Sequence, residues 1–207
     1  MLSKRISILL LVAALAPCVL SAEMIDRIAA IVNSEVITYS EVTAMKQLGL
    51  DVSDLPEKEN ILQRRVDEHL VLQQVAKQPP VSLSAEDVQS LLDSFASRHG
   101  GREELLLFLN SIGMSYADLE QEARDQLTIR NFLRARFRPF INIPLEQAEK
   151  YYTEIYKPAL EQAGKPVPSF AESFDQIQGD LAQSQVLERT REWLVELRRS
   201  ASITVKE

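Results

Sequence analysis

The chain has 207 residues with 30 acidic and 23 basic side chains, a net charge of −7, which disfavours nucleic acid or anionic lipid as a partner. Its apolar content of 45% is that of a globular protein with a sizeable core, not of a disordered chain. Cys18 is the single cysteine, so neither a disulfide framework nor a cysteine-built metal centre is available.

In chain order, Lys4 and Arg5 precede an apolar run from Ile6 to Leu15 and a small-residue ending at Leu20-Ser21-Ala22. This is the order of a cleavable export signal, residues 1–22. Cleavage near Ala22 removes Cys18, Lys4 and Arg5, leaving 21 basic against 30 acidic side chains. A lipoprotein reading at Leu15-Ala16-Pro17-Cys18 meets an unfavourable proline beside the cysteine. No later stretch approaches the roughly 18 to 20 apolar residues of a spanning helix, so no stable membrane insertion is expected.

Two short apolar runs, Ile28 to Val32 and Val36 to Thr38, flank Asn33-Ser34-Glu35 and predict a tight β-hairpin, since Asn tolerates positive φ. Thr38 with Glu41 announces a capped helix running to Leu48 before Gly49. The apolar spacing of Leu62, Val66 and Leu70 predicts a second helix from about Pro56 to Lys77, stopped by Pro79-Pro80. Ser84 with Asp87 opens a third helix that closes at Gly100-Gly101. Arg102 to Ser111 forms a fourth, and Ser115 with Asp118 opens a long fifth that Pro139 and Pro144 end.

Leu145 to Tyr156 reads as a further helix, followed by a linker marked by Pro158, Gly164, Pro166 and Pro168. Ser169 and Glu172 announce the last long helix, which ends at Arg198-Arg199 where positive charge suits the helix dipole. Ser202 to Lys206 alternates apolar and polar residues as a lone strand. A lone strand needs a partner, and the only other strand material is the hairpin. The prediction is a mainly α fold closed by a small antiparallel β-sheet, built from the N-terminal hairpin and the C-terminal strand.

The six glycines form neither a dinucleotide fingerprint nor a P-loop, so no nucleotide cofactor is expected. His69 and His99 stand apart without metal-ligand spacing, and are expected to be structural or solvated. Runs such as Glu120-Gln121-Glu122 and Glu103-Glu104 read as solvated helix faces, and no Gly-x-Ser-x-Gly elbow occurs. No catalytic, metal or cofactor site is assigned. The aromatics Phe132, Phe137, Phe140, Tyr151, Tyr152 and Tyr156 cluster around the end of one helix and the next. They read either as core or as the wall of a groove, because tyrosine offers an apolar body with a polar tip.

The segment from Asp26 through Val32, Asn33-Ser34-Glu35 and Val36 to Val42 resembles the opening of the SurA-type periplasmic chaperones, in which a hairpin leads directly into the first helix. Val66 to Ala76, Ser84 to Ser111 and Ser115 to Arg134 are similar to the helices of the same N-terminal module, and Trp193 to Val205 to its returning helix and strand. The resemblance implies one chaperone domain over residues 23–207. Within it, 23–138 form the N-terminal helical module and 169–207 the returning helix and strand. Residues 139–168 stand where a parvulin prolyl-isomerase domain usually lies, and lack its Gly-rich, His-containing strands.

What the resemblance implies is a periplasmic, ATP-independent holdase for unfolded polypeptides, typically outer-membrane protein precursors, and not an enzyme. Met45, Leu48 and Leu50 at the first helix then join the six aromatics as candidate client contacts, methionine being adaptable to varied partners. Two other readings stay open: an adaptor for one fixed envelope partner, and a prolyl isomerase, which the short intervening segment disfavours.

Overall fold

The computed structural model describes residues 26–58, 60–79 and 82–206. The export signal and Cys18 lie outside them. Strands β1 (Ile28–Val32) and β2 (Glu35–Thr38) form the expected hairpin, and Asn33 takes the positive φ of 56° that its tight turn demands. Helix α1 (Tyr39–Leu48) follows at once. Thr38 caps it by accepting from the Glu41 backbone N–H, and Gly49 closes it in the left-handed region at φ 63°. The Glu41 side chain does not complete a capping box; it reaches Arg65 instead.

Helix α2 spans Ile61–Val75, five residues shorter at its start than the expectation from Pro56. Asn60 supplies the cap, its side chain accepting from Leu62 N. The stretch before it is a pinned loop: Gln126 donates to Leu50 O and accepts from Val52 N, while Ser53, Leu55 and Pro56 are buried. Burial of this loop took precedence over the helical tolerance of Pro56.

Helices α3 (Ala85–Arg98) and α4 (Arg102–Ser111) form a helical hairpin, with Ser84 capping α3 at Glu86 N and not through Asp87. Helix α5 (Tyr116–Phe137) opens with the predicted Ser115–Asp118 capping box and ends in a 3-10 turn at Arg138–Phe140.

The first part of the expected linker, Pro158 to Gln162, is helix, and only 163–168 remain turn and coil. Helix α6 (Leu145–Tyr151) runs through a π turn (Tyr152–Tyr156) into α7 (Lys157–Gln162). A proline at 158 has no N–H and crowds the carbonyl four residues back, at Glu154; that carbonyl lies within the widened turn, which accommodates the ring. Helix α8 (Phe170–Ser200) begins with the predicted Ser169–Glu172 capping box.

Strand β3 (Ile203–Val205) then returns to β1, antiparallel, with Ile31 opposite Thr204. The sheet order is β2-β1-β3, so the predicted closure of the two chain ends is observed. Its inner face, Ala30, Val32 and Ile37, packs on Val66 and Leu70 of α2. Helices α1, α3, α4 and α5 enclose a second apolar cluster around Leu105, Leu109 and Leu119. Against α8, α2 and α5 bury Val71, Ile129 and Leu133, while α6 buries Ala148 beside Ile177 and Val186.

Candidate functional site

Two surfaces combine exposure with apolar character. The first flanks α1. A broad open cleft of about 1060 Å³ lies between α1 and the start of α2, with Met45, Leu50 and Ile61 among charged Lys46, Asp51 and Lys58. On its other side α1 borders a smaller hollow of about 380 Å³, where Met45 faces Ile112, Met114 and Asp125. Met45 therefore borders both.

What holds α1 between the two is a buried ion network. Arg65 of α2 donates from Nη2 to Glu41 Oε1 of α1 at 2.8 Å, and from Nη1 to Glu68 Oε2 at 2.5 Å and Glu122 Oε2 of α5 at 3.1 Å. Arg64 adds a bond from Nε to Glu68 Oε1 at 3.2 Å, one to Ser53 Oγ at 2.8 Å, and an ion pair with Asp51. His69 Nδ1 lies 2.8 Å from Glu35 Oε2 of β2, and its Nε2 lies 3.6 Å from Glu41 Oε1. Hairpin, α1, α2 and α5 are thus tied at one knot.

The knot perturbs its members in opposite senses. Burial would push the Glu41 carboxyl up, but His69 and Arg65 outweigh it and bring the acid down to about 2. For Glu68 burial prevails: with Glu122 adjacent, its acid is raised despite Arg65 and Arg64. Burial works against the His69 cation, yet Glu41 and Glu35 raise its pKa above the ordinary imidazole value. Glu122, expected on a solvated face, is instead 5% exposed, because α5 turns that face toward Arg65. Such groups can fix geometry. They are committed to one another and present no free acid–base pair.

The second surface surrounds the junction of α5 and α6. Phe140 is 75% exposed, Leu145 57% and Ile155 54%. Tyr152 stacks on Tyr156 at 6.1 Å and meets Phe170 edge-on at 5.5 Å; its hydroxyl donates to Pro168 O at 2.8 Å. Tyr151, Tyr152 and Tyr156 are half-buried against the α6–α8 core, with Phe137 between that core and the α2–α5–α8 core.

The nine candidate contact residues are therefore not one constellation. Met45 and Leu50 share the α1 cleft, although Leu48 and Leu50 are themselves buried in the core there. Phe132 and Phe140 share a hollow of about 350 Å³ with Pro79 and Arg136, Phe132 as its buried floor and Phe140 as its rim. Tyr151, Tyr152 and Tyr156 line the α6 side.

His99, expected to be structural or solvated, stacks between Phe95 and Phe108, at 4.6 Å from each. Among the described residues no group of three or more His, Cys, Asp or Glu side chains is arranged to hold a metal ion, and no helix is long and apolar enough to cross a membrane.

Sequence reasoning did not single out Arg65, Arg136 or Trp193 at these surfaces. The signal for Trp193 was its place at helical spacing from Leu197 on the last helix. Arg136 gave none beyond its charge.

The model of the SurA N-terminal domain family matches residues 25–133, more than half of the chain. Among curated proteins, a Chaperone SurA of Legionella pneumophila is 29% identical over 139 residues, covering 62% of this chain and 32% of that protein. A Chaperone SurA of Pseudomonas aeruginosa is 26% identical over 180 residues, covering 79% of this chain and 43% of its own. The chain spans between a third and somewhat under half of the length of these relatives. The matched stretch holds the hairpin, α1, the Arg65 knot and most of α5; with these features in place, the chain belongs to the SurA N-terminal domain family.

Proposed function

We propose that this protein is an ATP-independent chaperone of the periplasm that holds unfolded polypeptides, outer-membrane protein precursors foremost, until they fold or are handed on. The observation that carries the reading is the set of large apolar side chains kept in solvent around the α5–α6 junction, Phe140, Leu145 and Ile155, on ordered helices and beside half-buried tyrosines. Large apolar side chains held in solvent on one stretch of chain mark a surface that something else covers. An extended client offers matching side chains to such a surface through many weak contacts. Ordering the client offsets much of the contact energy, so capture is modest in affinity and reversible without fuel. In this reading residues 139–168 are part of the client surface and replace, rather than carry, a prolyl-isomerase module.

The test is dilution of a urea-unfolded outer-membrane β-barrel protein into ATP-free buffer, followed by light scattering. The protein should suppress aggregation at modest molar excess, and a Phe140→Ser, Ile155→Ser variant should do so less well. Unchanged scattering at large excess refutes the chaperone reading.

A further inference from the structure

The end of α5 and the 3-10 turn after it carry four arginines within nine residues, Arg130, Arg134, Arg136 and Arg138, on a chain whose net charge is −7. Arg134 is committed to Asp54 at 2.7 Å. Arg130, Arg136 and Arg138 form no ion pair among the described residues. Compensation of the helix dipole accounts for positive charge in the last turn of α5. It does not account for where Arg136 is held. Its guanidinium lies over the Trp193 ring, 4.8 Å from the centroid, and 5.5 Å from that of Phe137. That stacking restrains a side chain which would otherwise lose rotamer freedom on meeting an anion, and a planar guanidinium presents a fork suited to a carboxylate.

Arg136 also lines the hollow of about 350 Å³ whose apolar walls are Pro79, Phe132, Ala135 and Phe140. The hollow has room for one large side chain, and a restrained cation with no ion pair among the described residues stands at its edge.

We infer that this hollow binds an acidic–apolar polypeptide segment, its large apolar side chain between Phe132 and Phe140 and a neighbouring aspartate or glutamate on Arg136. The occupant follows from charge complementarity: a basic end on an otherwise acidic protein attracts the negatively charged stretches of a client and repels its lysine-rich ones. This rests on the client-holding reading and narrows it, because it assigns a sequence preference to one end of the molecule.

The experiment uses fluorescein-labelled peptides that alternate phenylalanine with aspartate, lysine or serine, read by anisotropy at low salt, with anionic lipid vesicles as a separate arm. The aspartate peptide should bind about ten-fold tighter than the lysine peptide, and Arg136→Gln should weaken it about five-fold while leaving the serine peptide unchanged. Arg136→Glu should reverse the preference toward lysine, and Phe140→Ser should weaken all three. Arg136 and Phe140 are exposed, so these variants keep the fold. Equal binding of the aspartate and lysine peptides, indifference to Arg136→Gln, or Arg136-dependent binding of vesicles in place of peptides overturns the assignment. Aggregation assays on the same samples separate the two readings. Suppression without charge preference leaves client holding standing and removes this site; Arg136-dependent peptide binding without suppression does the reverse.

Discussion

Replacing Arg65 with methionine strands the carboxylates of the α1–α2–α5 knot. The Arg65 side chain is 13% exposed, and those of Glu68 and Glu122 are 3% and 6% exposed, so water cannot take over the lost bonds. Removing one partner of a buried pair typically costs about 3–5 kcal/mol. Here Glu68 keeps Arg64, and Glu122 keeps the Gln126 amide at 2.7 Å, which places the expected loss near the lower end, about 3 kcal/mol. Against a total stability of roughly 5–15 kcal/mol this is a large fraction.

The loss should depend on pH with a definite sign. Glu68 already has a raised acid, and without Arg65 it rises further. A carboxyl whose folded pKa exceeds its unfolded one lends stability below the unfolded value and withdraws it as pH climbs through the folded one. The variant's deficit should therefore shrink as pH falls from about 7 to 5 and Glu68 takes up its proton. Adding Glu122→Gln to Arg65→Met should recover a good part of it.

Urea unfolding followed by the fluorescence of Trp193, the single tryptophan, measures all three proteins. A deficit below about 0.5 kcal/mol, the range of unremarkable surface substitutions, or one equal at both pH values, refutes the view that the knot is a buried, mutually dependent set.

Two further substitutions probe other links. Arg198 bonds Asp67 from Nε at 2.6 Å and Gln63 O from Nη2 at 2.8 Å, and the Asp67 side chain is 2% exposed. Arg198→Met should cost about 3 kcal/mol in urea unfolding, whereas Asp67→Leu with Arg198→Met should recover most of it; a double variant no better than the single one contradicts the account. His69, with its raised pKa between Glu35 and Glu41, lends stability below its unfolded pKa that is lost as pH climbs through the folded one. The stability advantage of wild type over His69→Gln should accordingly narrow from about pH 6 to pH 8, and a gap that widens refutes the sign.

The features legible in the sequence were those written locally. Asn33 implied the hairpin turn, and Ser115 with Asp118 and Ser169 with Glu172 marked two helix starts, because caps and turns are decided within a few residues. Even the pairing of Ile203–Val205 with β1 followed from there being no other strand to join.

Features decided across long separations were not legible. Arg65 and Glu122 meet 57 residues apart, and on a helical wheel a buried paired charge looks like a solvated one. Likewise Pro158 carries a breaker signal that the π turn absorbs, and Pro56 a helix-start signal that Gln126 and Arg64 overrule by pinning the preceding loop. At the α5–α6 junction composition drew attention to the aromatics, but only packing separates buried Phe132 from solvent-facing Phe140.

The pairing of β1 with β3 joins Val32 to Ile203 across nearly the whole described chain. Closing so long a loop is a loss that grows only logarithmically with its length, about 0.6 kcal/mol for each doubling. The connection from α7 to α8 is short and mostly exposed, so additional residues placed there would leave the sheet and the α2–α5–α8 core in register and weaken closure only slightly. The architecture is therefore a clasp that is almost indifferent to what is threaded between its two halves. Long and short versions of the same scaffold are, in thermodynamic terms, near neighbours.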